Sequence, residues 1–172
     1  SSVPVYRELV TRFGKNIQLD ILFLTFQDYY KAKKDYYLKN SNKIKIYESN
    51  PSMIKSCISE GVDLFFALPR STNFDLFRVF PDYFLRCKQD ELDTIINEQN
   101  TLLDQSSLIV NDNGYLVYAV FTLNKKETKN VINNFLSSHK DFILLEENQL
   151  FSFDDNHSIA YYAVMKKEVN ND

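Results

Sequence analysis

Glycine is scarce in this chain, with three copies among 172 residues. Average usage in globular proteins would give about a dozen. Loops that wrap a nucleotide or a phosphate need several glycines close together, because the backbone must approach the ligand without side chains in the way. Gly14, Gly61 and Gly114 are far apart in the sequence, so the composition argues against a glycine-rich cofactor loop.

Cysteine, histidine and long apolar runs are also scarce. Cys57 and Cys87 are thirty residues apart. That spacing fits neither a disulfide framework nor a zinc site, so we expect two reduced thiols in an intracellular, reducing compartment. His139 and His157 have no partners at ligand spacing, which predicts no metal site. No apolar run reaches the ~18 residues of a membrane span, so neither a signal peptide nor a membrane partner is predicted.

Aromatic residues, in contrast, are abundant. The chain contains 14 Phe and 11 Tyr but no Trp, and 44% of its residues are hydrophobic. A chain of this length and composition can bury one substantial core. The sequence therefore predicts a single domain over 1–172, with an N-terminal helix over 1–16 and a frayed tail over 168–172.

Charge is unevenly distributed along the chain, whose net charge is −3. Residues 1–60 contain ten Lys/Arg and six Asp/Glu, whereas residues 61–172 contain ten and seventeen. A basic first third is compatible with a surface that faces nucleic acid. An ordinary solvated surface with a chance asymmetry explains the same counts.

The most informative stretch runs from residue 112 to residue 136. Residues 112–114 have the composition of a turn, and the apolar run over 115–122 predicts a strand buried on both faces. Asn124 is expected to cap the next helix, with Glu127 reaching back in a capping box. The apolar face of that helix consists of Val131, Ile132, Phe135 and Leu136.

Alternating strand and helix patterns along the chain predict an α/β fold with a mostly parallel sheet and an antiparallel end pair. A helix over 90–107 is expected to be capped by Asp90, with Gln99 interrupting its apolar face, and 74–88 is predicted to be short helix and loop. The other predicted helices cover 27–40 and 51–60. The predicted strands are 19–26, 43–48, 62–68, 115–122, 142–146 and 158–166.

Lysines and tyrosines are interleaved in the second predicted helix. Such a mixture is typical of surfaces that bind single-stranded RNA. The alternative is that the tyrosines pack one helix face while the lysines solvate the other. The residues concerned are Lys31, Lys33, Lys34, Tyr29, Tyr30, Tyr36 and Tyr37.

Several segments of the second half together resemble one known family. They read GYLVYAVFT over 114–122, HKDF over 139–142 and IAYYAVMKK over 159–167. In order and spacing they resemble the Sun/Fmu-type rRNA cytosine-5 methyltransferases, over 62–167 well and over 19–60 weakly. Further matching positions are Pro69, Ser71, Pro81, Asp82, Glu98 and Gln99.

This resemblance implies a Rossmann-like fold of the S-adenosylmethionine-dependent methyltransferases, with a shortened, mostly parallel sheet. Only fifteen positions separate Glu48 from Asp63. The family normally has a strand and a helix in this interval, so one sheet strand is expected to be missing.

The resemblance also implies that the catalytic residues have been lost. The family uses one cysteine thiolate to attack the cytosine ring and a second cysteine to release the product. The matching positions here are Arg70 and Phe121, neither of which can perform covalent catalysis. Cys57 and Cys87 match neither position, so no catalytic residue is predicted.

The donor site implied by the resemblance is altered as well. The family's glycine turn after its first strand falls on 24–28, which contains no glycine. The candidates for cofactor contact are Asp20, Phe26 and Glu48. Phe26 would crowd the methionine end of the ligand, and Glu48, which matches a ribose-binding carboxylate, also fits a surface carboxylate at a strand end. No cofactor is expected, unless the site survives and holds S-adenosylmethionine.

The sequence thus predicts a methyltransferase-like domain that is catalytically inactive and binds RNA, a ribonucleoprotein, another protein or a second copy of itself. The candidates for RNA contact are Lys31, Lys33, Lys34 and Arg70. Two alternatives are an active S-adenosylmethionine-dependent RNA methyltransferase with a non-standard site, and the dimerisation domain of a longer protein.

Overall fold

The computed structural model describes residues 7–8, 11–12, 18–34, 44–73, 82, 88–151 and 159–169, with Phe26 described by its backbone alone. Its contacts divide the chain into two compact units, Ser1–Ser59 and Glu60–Asp172. The single domain over 1–172 stays a prediction. The predicted N-terminal helix over 1–16 and the segment 74–88 lie mostly outside the described residues.

The first unit contains two parallel strands joined through a helix. Strand β1 covers Leu19–Phe23, helix α1 covers Phe26–Lys33 and strand β2 covers Ile44–Glu48. The strand predicted to reach residue 26 ends at Phe23, because Thr25 caps α1: its hydroxyl oxygen accepts a hydrogen bond from the Asp28 N–H at 3.2 Å. One core cluster of this unit contains the buried residues Phe23 and Ala32, packed by Ile21, Tyr29, Ile44 and Ile46.

A short helical segment follows β2. Residues Pro51–Met53 form a 3-10 turn that continues into helix α2, Ile54–Cys57. The predicted helix over 51–60 is therefore too long, since Ile58 already has extended backbone angles. No strand lies between β2 and residue 62, and every residue of that interval is described.

The second unit is built on a four-stranded sheet of order β3-β4-β6-β5. Its strands are β3 (Val62–Ala67), β4 (Val110–Val120), β5 (Phe142–Leu150) and β6 (Ala160–Lys167). Strands β3 and β4 are parallel, whereas β6 runs antiparallel to both β4 and β5. The α/β class, the order of elements and the antiparallel end pair are confirmed.

Two helices pack against this sheet, α3 (Gln89–Ser107) and α4 (Lys129–Ser138). The predicted cap of α3 is wrong: Lys88 is the capping residue and makes no side-chain hydrogen bond, while Asp90 lies within the first turn. No helix among the described residues is long and apolar enough to cross a membrane. Buried side chains of the unit include Ile95, Leu103, Leu116, Tyr118, Val120, Ile132 and Met165.

Strand β4 begins earlier than predicted and is not buried on both faces. The predicted turn over 112–114 lies inside the strand as an irregularity, because Val62 pairs with Val110 but Leu64 already pairs with Tyr115. Asn113 absorbs the extra length with a φ of 62°. Alternate residues face the helices, whereas Tyr115 on the other face is 42% exposed.

Candidate functional site

The carboxyl ends of β3 and β4 meet at one edge of the sheet, since neighbouring parallel strands end on the same side. The loop 68–73 follows β3 and the segment 121–124 follows β4. The Ser71 hydroxyl lies 3.5 Å from the carbonyl oxygen of Phe121 and 3.1 Å from Asn73 Oδ1. We call these two segments the β3–β4 edge. The structure thus brings together the segments that carry Arg70 and Phe121.

A buried carboxylate, Glu127, holds the β3–β4 edge together. Its Oε1 accepts hydrogen bonds from the Thr72 N–H at 2.8 Å and from Gln99 Nε2 at 3.3 Å. Its Oε2 accepts from the hydroxyls of Thr72 and, at 3.2 Å, Thr122. The loop after β3, helix α3 and the segment after β4 therefore share one acceptor.

The predicted capping box at Glu127 is wrong. Asn124 Oδ1 does accept a hydrogen bond from the Lys126 N–H at 3.0 Å, but it caps a 3-10 turn, Lys125–Glu127. The Glu127 side chain points into the protein instead, and it is 0% exposed. A capping box and a buried acceptor share the same local spacing, so the sequence pattern alone does not separate them.

Burial of a carboxylate is unfavourable unless hydrogen-bond donors replace water. Four donors surround Glu127, and hydrogen bonds to a charged group are each worth about 1.5–3 kcal/mol. The Tyr118 hydroxyl donates to the Glu127 carbonyl oxygen at 2.7 Å. Burial and the nearby Glu127 carboxylate raise the pKa of Tyr118 well above its usual value, so Tyr118 stays a neutral donor.

Gln99 connects α3 to the same network. Its Nε2 also donates to the Arg70 carbonyl oxygen at 2.9 Å, and its side chain is 0% exposed. Its Oε1 has no hydrogen-bond partner within the described part of the chain. The apolar pattern of α3 predicts Gln99 as an interruption of its apolar face. Its helical spacing from Leu92, Ile95 and Leu103 already places it on the buried face.

The side chains of Arg70 and Phe121, the two positions where the resemblance implies cysteines, are accessible. The Arg70 side chain is 51% exposed and pairs with Glu98, with Nε 3.3 Å from Oε2 and Nη2 3.4 Å from Oε1. Phe121 is 38% exposed. No cysteine occurs among the residues of the β3–β4 edge. The edge can therefore offer a cation and an aromatic ring to a ligand, but no thiolate.

The candidate donor residues Asp20 and Glu48 are not brought together. Asp20 lies opposite Lys45, whereas Glu48 lies opposite Phe23 at the other end of the strand pair. Three strand positions correspond to about 10 Å. Asp20 Oδ1 accepts a hydrogen bond from the Tyr47 hydroxyl at 3.5 Å, and burial together with the Asp20 carboxylate raises the pKa of Tyr47. Glu48 is exposed at the carboxyl end of β2.

The turn after β1 is held by hydrogen bonds between its own residues. The Thr25 hydroxyl accepts from the Asp28 N–H and donates to Asp28 Oδ2 at 2.8 Å. These residues do not form the open glycine turn that the resemblance implies for S-adenosylmethionine. The role of Phe26, whose side chain lies outside the description, stays a prediction.

Two lysines at the C-terminal end of α1, Lys33 and the capping residue Lys34, lie over tyrosine rings of that helix. Lys33 Nζ lies 5.6 Å from the Tyr29 ring centroid, and Lys34 Nζ lies 4.1 Å from that of Tyr30. Lys31 Nζ is 4.0 Å from the Asp28 carboxylate. All three lysines are exposed, and their role in RNA binding stays a prediction.

No group of three metal-ligating side chains occurs in the described ranges. The His139 ring stacks on Phe135 at a centroid distance of 4.2 Å, and its Nδ1 lies 3.1 Å from the Phe135 carbonyl oxygen. These contacts give His139 a structural role. His157 lies outside the described residues.

The sequence profile of the family described as 16S rRNA methyltransferase RsmB/F matches residues 42–165. The chain belongs to this family. The family predicted from the resemblance is thus confirmed, and with it a methyltransferase-like domain. A search of curated protein sequences found no match.

Solved structures confirm the fold. PH0851 is 18% identical, with a TM-score of 0.76 over 86% of this chain and 36% of its own. NSun6 from Pyrococcus horikoshii, solved with SFG, is 13% identical, with a TM-score of 0.69 over 88% of this chain and 41% of its own. A methyltransferase homolog from Pyrococcus horikoshii is 14% identical, with a TM-score of 0.67 over 88% of this chain and 61% of its own. The chain thus spans between about a third and three fifths of these proteins.

Proposed function

We propose that this chain is a methyltransferase-like RNA-binding module that does not itself transfer methyl groups. The observation that carries the proposal is the pair of substitutions at the β3–β4 edge. Arg70 and Phe121 stand at the two positions where the family resemblance expects cysteines, and the segments that carry them are in contact. Without a thiolate at either position, the covalent route of the family is closed to this edge.

The Glu127 network supports retention of a binding role. It orders two surface segments around a buried carboxylate. The unfavourable free energy of burying that carboxylate has to be offset by several well-placed hydrogen-bond donors. A scaffold kept only for packing would be served equally well by apolar residues at these positions. The ordered edge presents an exposed guanidinium and an exposed aromatic ring, which suit the phosphate and the base of single-stranded RNA.

Methyl transfer is tested directly with the purified chain, radiolabelled S-adenosylmethionine and rRNA. We expect no label in the RNA, and titration calorimetry with the same donor measures whether it binds at all. Transfer above the level of a no-protein control would overturn the proposal and favour an active enzyme with a non-standard site. If S-adenosylmethionine binds without methyl transfer, the proposed RNA-binding function stands and the chain has S-adenosylmethionine as a further ligand.

RNA binding is tested by fluorescence anisotropy with a labelled single-stranded oligonucleotide. Stacking of a base on an aromatic side chain is worth about 1–3 kcal/mol, so Phe121→Ala is expected to weaken binding by about fivefold or more. Tyr115→Ala is the matched control, because Tyr115 is similarly exposed but lies in the middle of β4, away from the β3–β4 edge. Equal losses in both variants, or none in either, would remove Phe121 from the interface.

Strand β5 favours a second candidate function, self-association. In the described sheet β5 pairs only with β6, so its other edge is open, and Leu144, Leu145 and Leu150 on it are exposed. Open apolar edges pair readily with strands of another chain. Light scattering after size exclusion would find a dimer that Leu145→Lys dissociates and Leu108→Lys, outside the sheet, does not. A monomer mass at every concentration would eliminate this candidate.

A further inference from the structure

The guanidinium of Arg70 is already occupied in the free protein. Both Nε and Nη2 of Arg70 face the Glu98 carboxylate, at 3.3 and 3.4 Å. The backbone of Arg70 is held separately, because its carbonyl oxygen accepts the hydrogen bond from Gln99 Nε2. Two neighbouring residues of α3 thus hold Arg70, one through its backbone and one through its side chain.

We propose that Glu98 is an internal competitor of RNA for Arg70. In the free protein Glu98 occupies the guanidinium, and a phosphate of the bound RNA replaces it. The inference rests on the proposed RNA-binding function and adds to it a residue that lowers affinity. It assigns Glu98 a regulatory role at the edge without assigning it a contact with RNA.

The exchange is physically reasonable because the pair is weak and accessible. The Arg70 and Glu98 side chains are 51% and 44% exposed, and exposed ion pairs change an equilibrium by about fivefold at most. A phosphate offers the guanidinium the same two-point geometry as a carboxylate. Because Gln99 keeps the Arg70 backbone in place, the exchange requires only a side-chain rotation.

The competition is tested by comparing RNA affinities of matched charge variants. The probe is a labelled single-stranded RNA of about ten nucleotides, within the site sizes of single-strand-binding domains. Glu98→Gln is expected to bind about two- to fivefold more tightly than the native chain. Glu91→Gln removes the same charge from an exposed position about 10 Å away on the same helix, and it is expected to have a smaller effect.

A double-mutant cycle then assigns the effect to Arg70. If Glu98 acts through Arg70, then Glu98→Gln in an Arg70→Gln background should change affinity no more than Glu91→Gln does. Arg70→Gln should also reduce the slope of log affinity against log salt by about 0.7, the value for one phosphate contact on a single strand. A merely structural effect of Arg70 would leave that slope unchanged.

Each outcome decides between the inference and the function on which it rests. If the native chain and Glu98→Gln bind RNA equally well, the competition is overturned while RNA binding stands. An equal gain from Glu91→Gln also overturns it, because the effect is then general electrostatics. If neither the native chain nor Glu98→Gln binds RNA, both the competition and the proposed function fail.

Discussion

At the scale of single residues, the carboxylate of Glu127 joins segments that are distant in the chain. Thr72 lies 55 positions from Glu127 and Gln99 lies 28 positions away. Thr72 donates to Glu127 through its N–H and its hydroxyl, and Gln99 donates through Nε2, which also bonds the Arg70 carbonyl oxygen. Removing the acceptor therefore affects three segments at once.

Glu127→Gln is expected to destabilise the protein by about 1–3 kcal/mol, because an amide places a donor where the native structure has only donors. Urea unfolding followed by circular dichroism measures the change. Glu91→Gln, on the exposed face of α3, is the control and should stay within about 0.5 kcal/mol of the native chain. A loss of similar size in both variants would show that Glu127 does not hold the edge.

A second residue-scale prediction concerns Glu147 on β5. The Tyr161 hydroxyl donates to Glu147 Oε2 at 2.8 Å, and Lys129 Nζ lies 3.2 Å from Oε1. The hydrogen bond from Tyr161, aided by Lys129 and opposed by burial, lowers the pKa of Glu147. Tyr161→Phe should therefore raise this pKa toward 4.5, the ordinary value, which an NMR titration of the carboxyl carbon measures.

The sign of the linked stability follows from the lowered pKa. The contribution of Glu147 is complete above its unfolded-state pKa and is lost as the pH falls through its folded-state pKa. Tyr161→Phe should reduce this acid-dependent part of the stability. Tyr162→Phe is the control, because Tyr162 donates to Glu146 instead. An unchanged Glu147 titration in Tyr161→Phe would contradict the assignment.

At the scale of elements, the irregularity in β4 decides how the strand fits against β3. Gly114 is buried there, and a Cβ atom would lie 2.7 Å from the Asn111 carbonyl oxygen and 3.2 Å from the Asp63 carbonyl oxygen. Both neighbours are backbone atoms of the paired strands, which cannot move independently. Gly114 therefore permits the close approach of two strands, and no positive φ is involved.

Gly114→Ala is expected to destabilise the protein by about 1–3 kcal/mol, the range for overpacking in a filled site. Gly61→Ala provides the comparison. The atoms nearest to an added Cβ belong to the Asn111 side chain, which can rotate away with the loss of its exposed hydrogen bond to Asp63. The loss for Gly61→Ala in urea unfolding should be smaller, and the reverse order would mean that the register of β3 and β4 differs from the one described.

At the scale of the whole molecule, two buried tyrosines predict sensitivity to alkali. Tyr118 and Tyr161 are both 0% exposed and contact each other edge to face, with centroids 6.5 Å apart. Burial raises the pKa of both, with the carboxylate of Glu127 adding to the effect at Tyr118 and the bonded Glu147 carboxylate adding to it at Tyr161. Folding therefore keeps two protons that the unfolded chain releases in alkali.

Because the pKa values of both tyrosines are raised, their contribution to the free energy of unfolding is complete below the unfolded-state pKa of about 10. This contribution is lost as the pH rises above that value. Urea midpoints should fall steeply above that pH. Phenolate absorbance should show two tyrosines that titrate only when the protein unfolds. A urea midpoint that stays constant in alkali would contradict the burial of the pair.

Much of the fold could be predicted because the relevant patterns are local. The alternation of apolar strands and amphipathic helices depends on neighbouring residues, and it indicated the element order and the antiparallel end pair. The same local pattern predicted the ends of the elements less accurately. Strand β1 ends earlier than predicted because Thr25 caps α1. Strand β4 begins at Val110, before the apolar run from which it was predicted.

The sequence by itself determined the family, the order of elements and the absence of cysteine at Arg70 and Phe121. Only the tertiary structure decided that Glu127 and Gln99 face inward and join the two segments of the β3–β4 edge. The spacing of Glu127 also fits a helix cap, and that of Gln99 also fits an interruption of an apolar helix face. The physical reason is that a buried polar group is stable only with its donors, and the Thr72 and Gln99 donors are supplied by other parts of the fold.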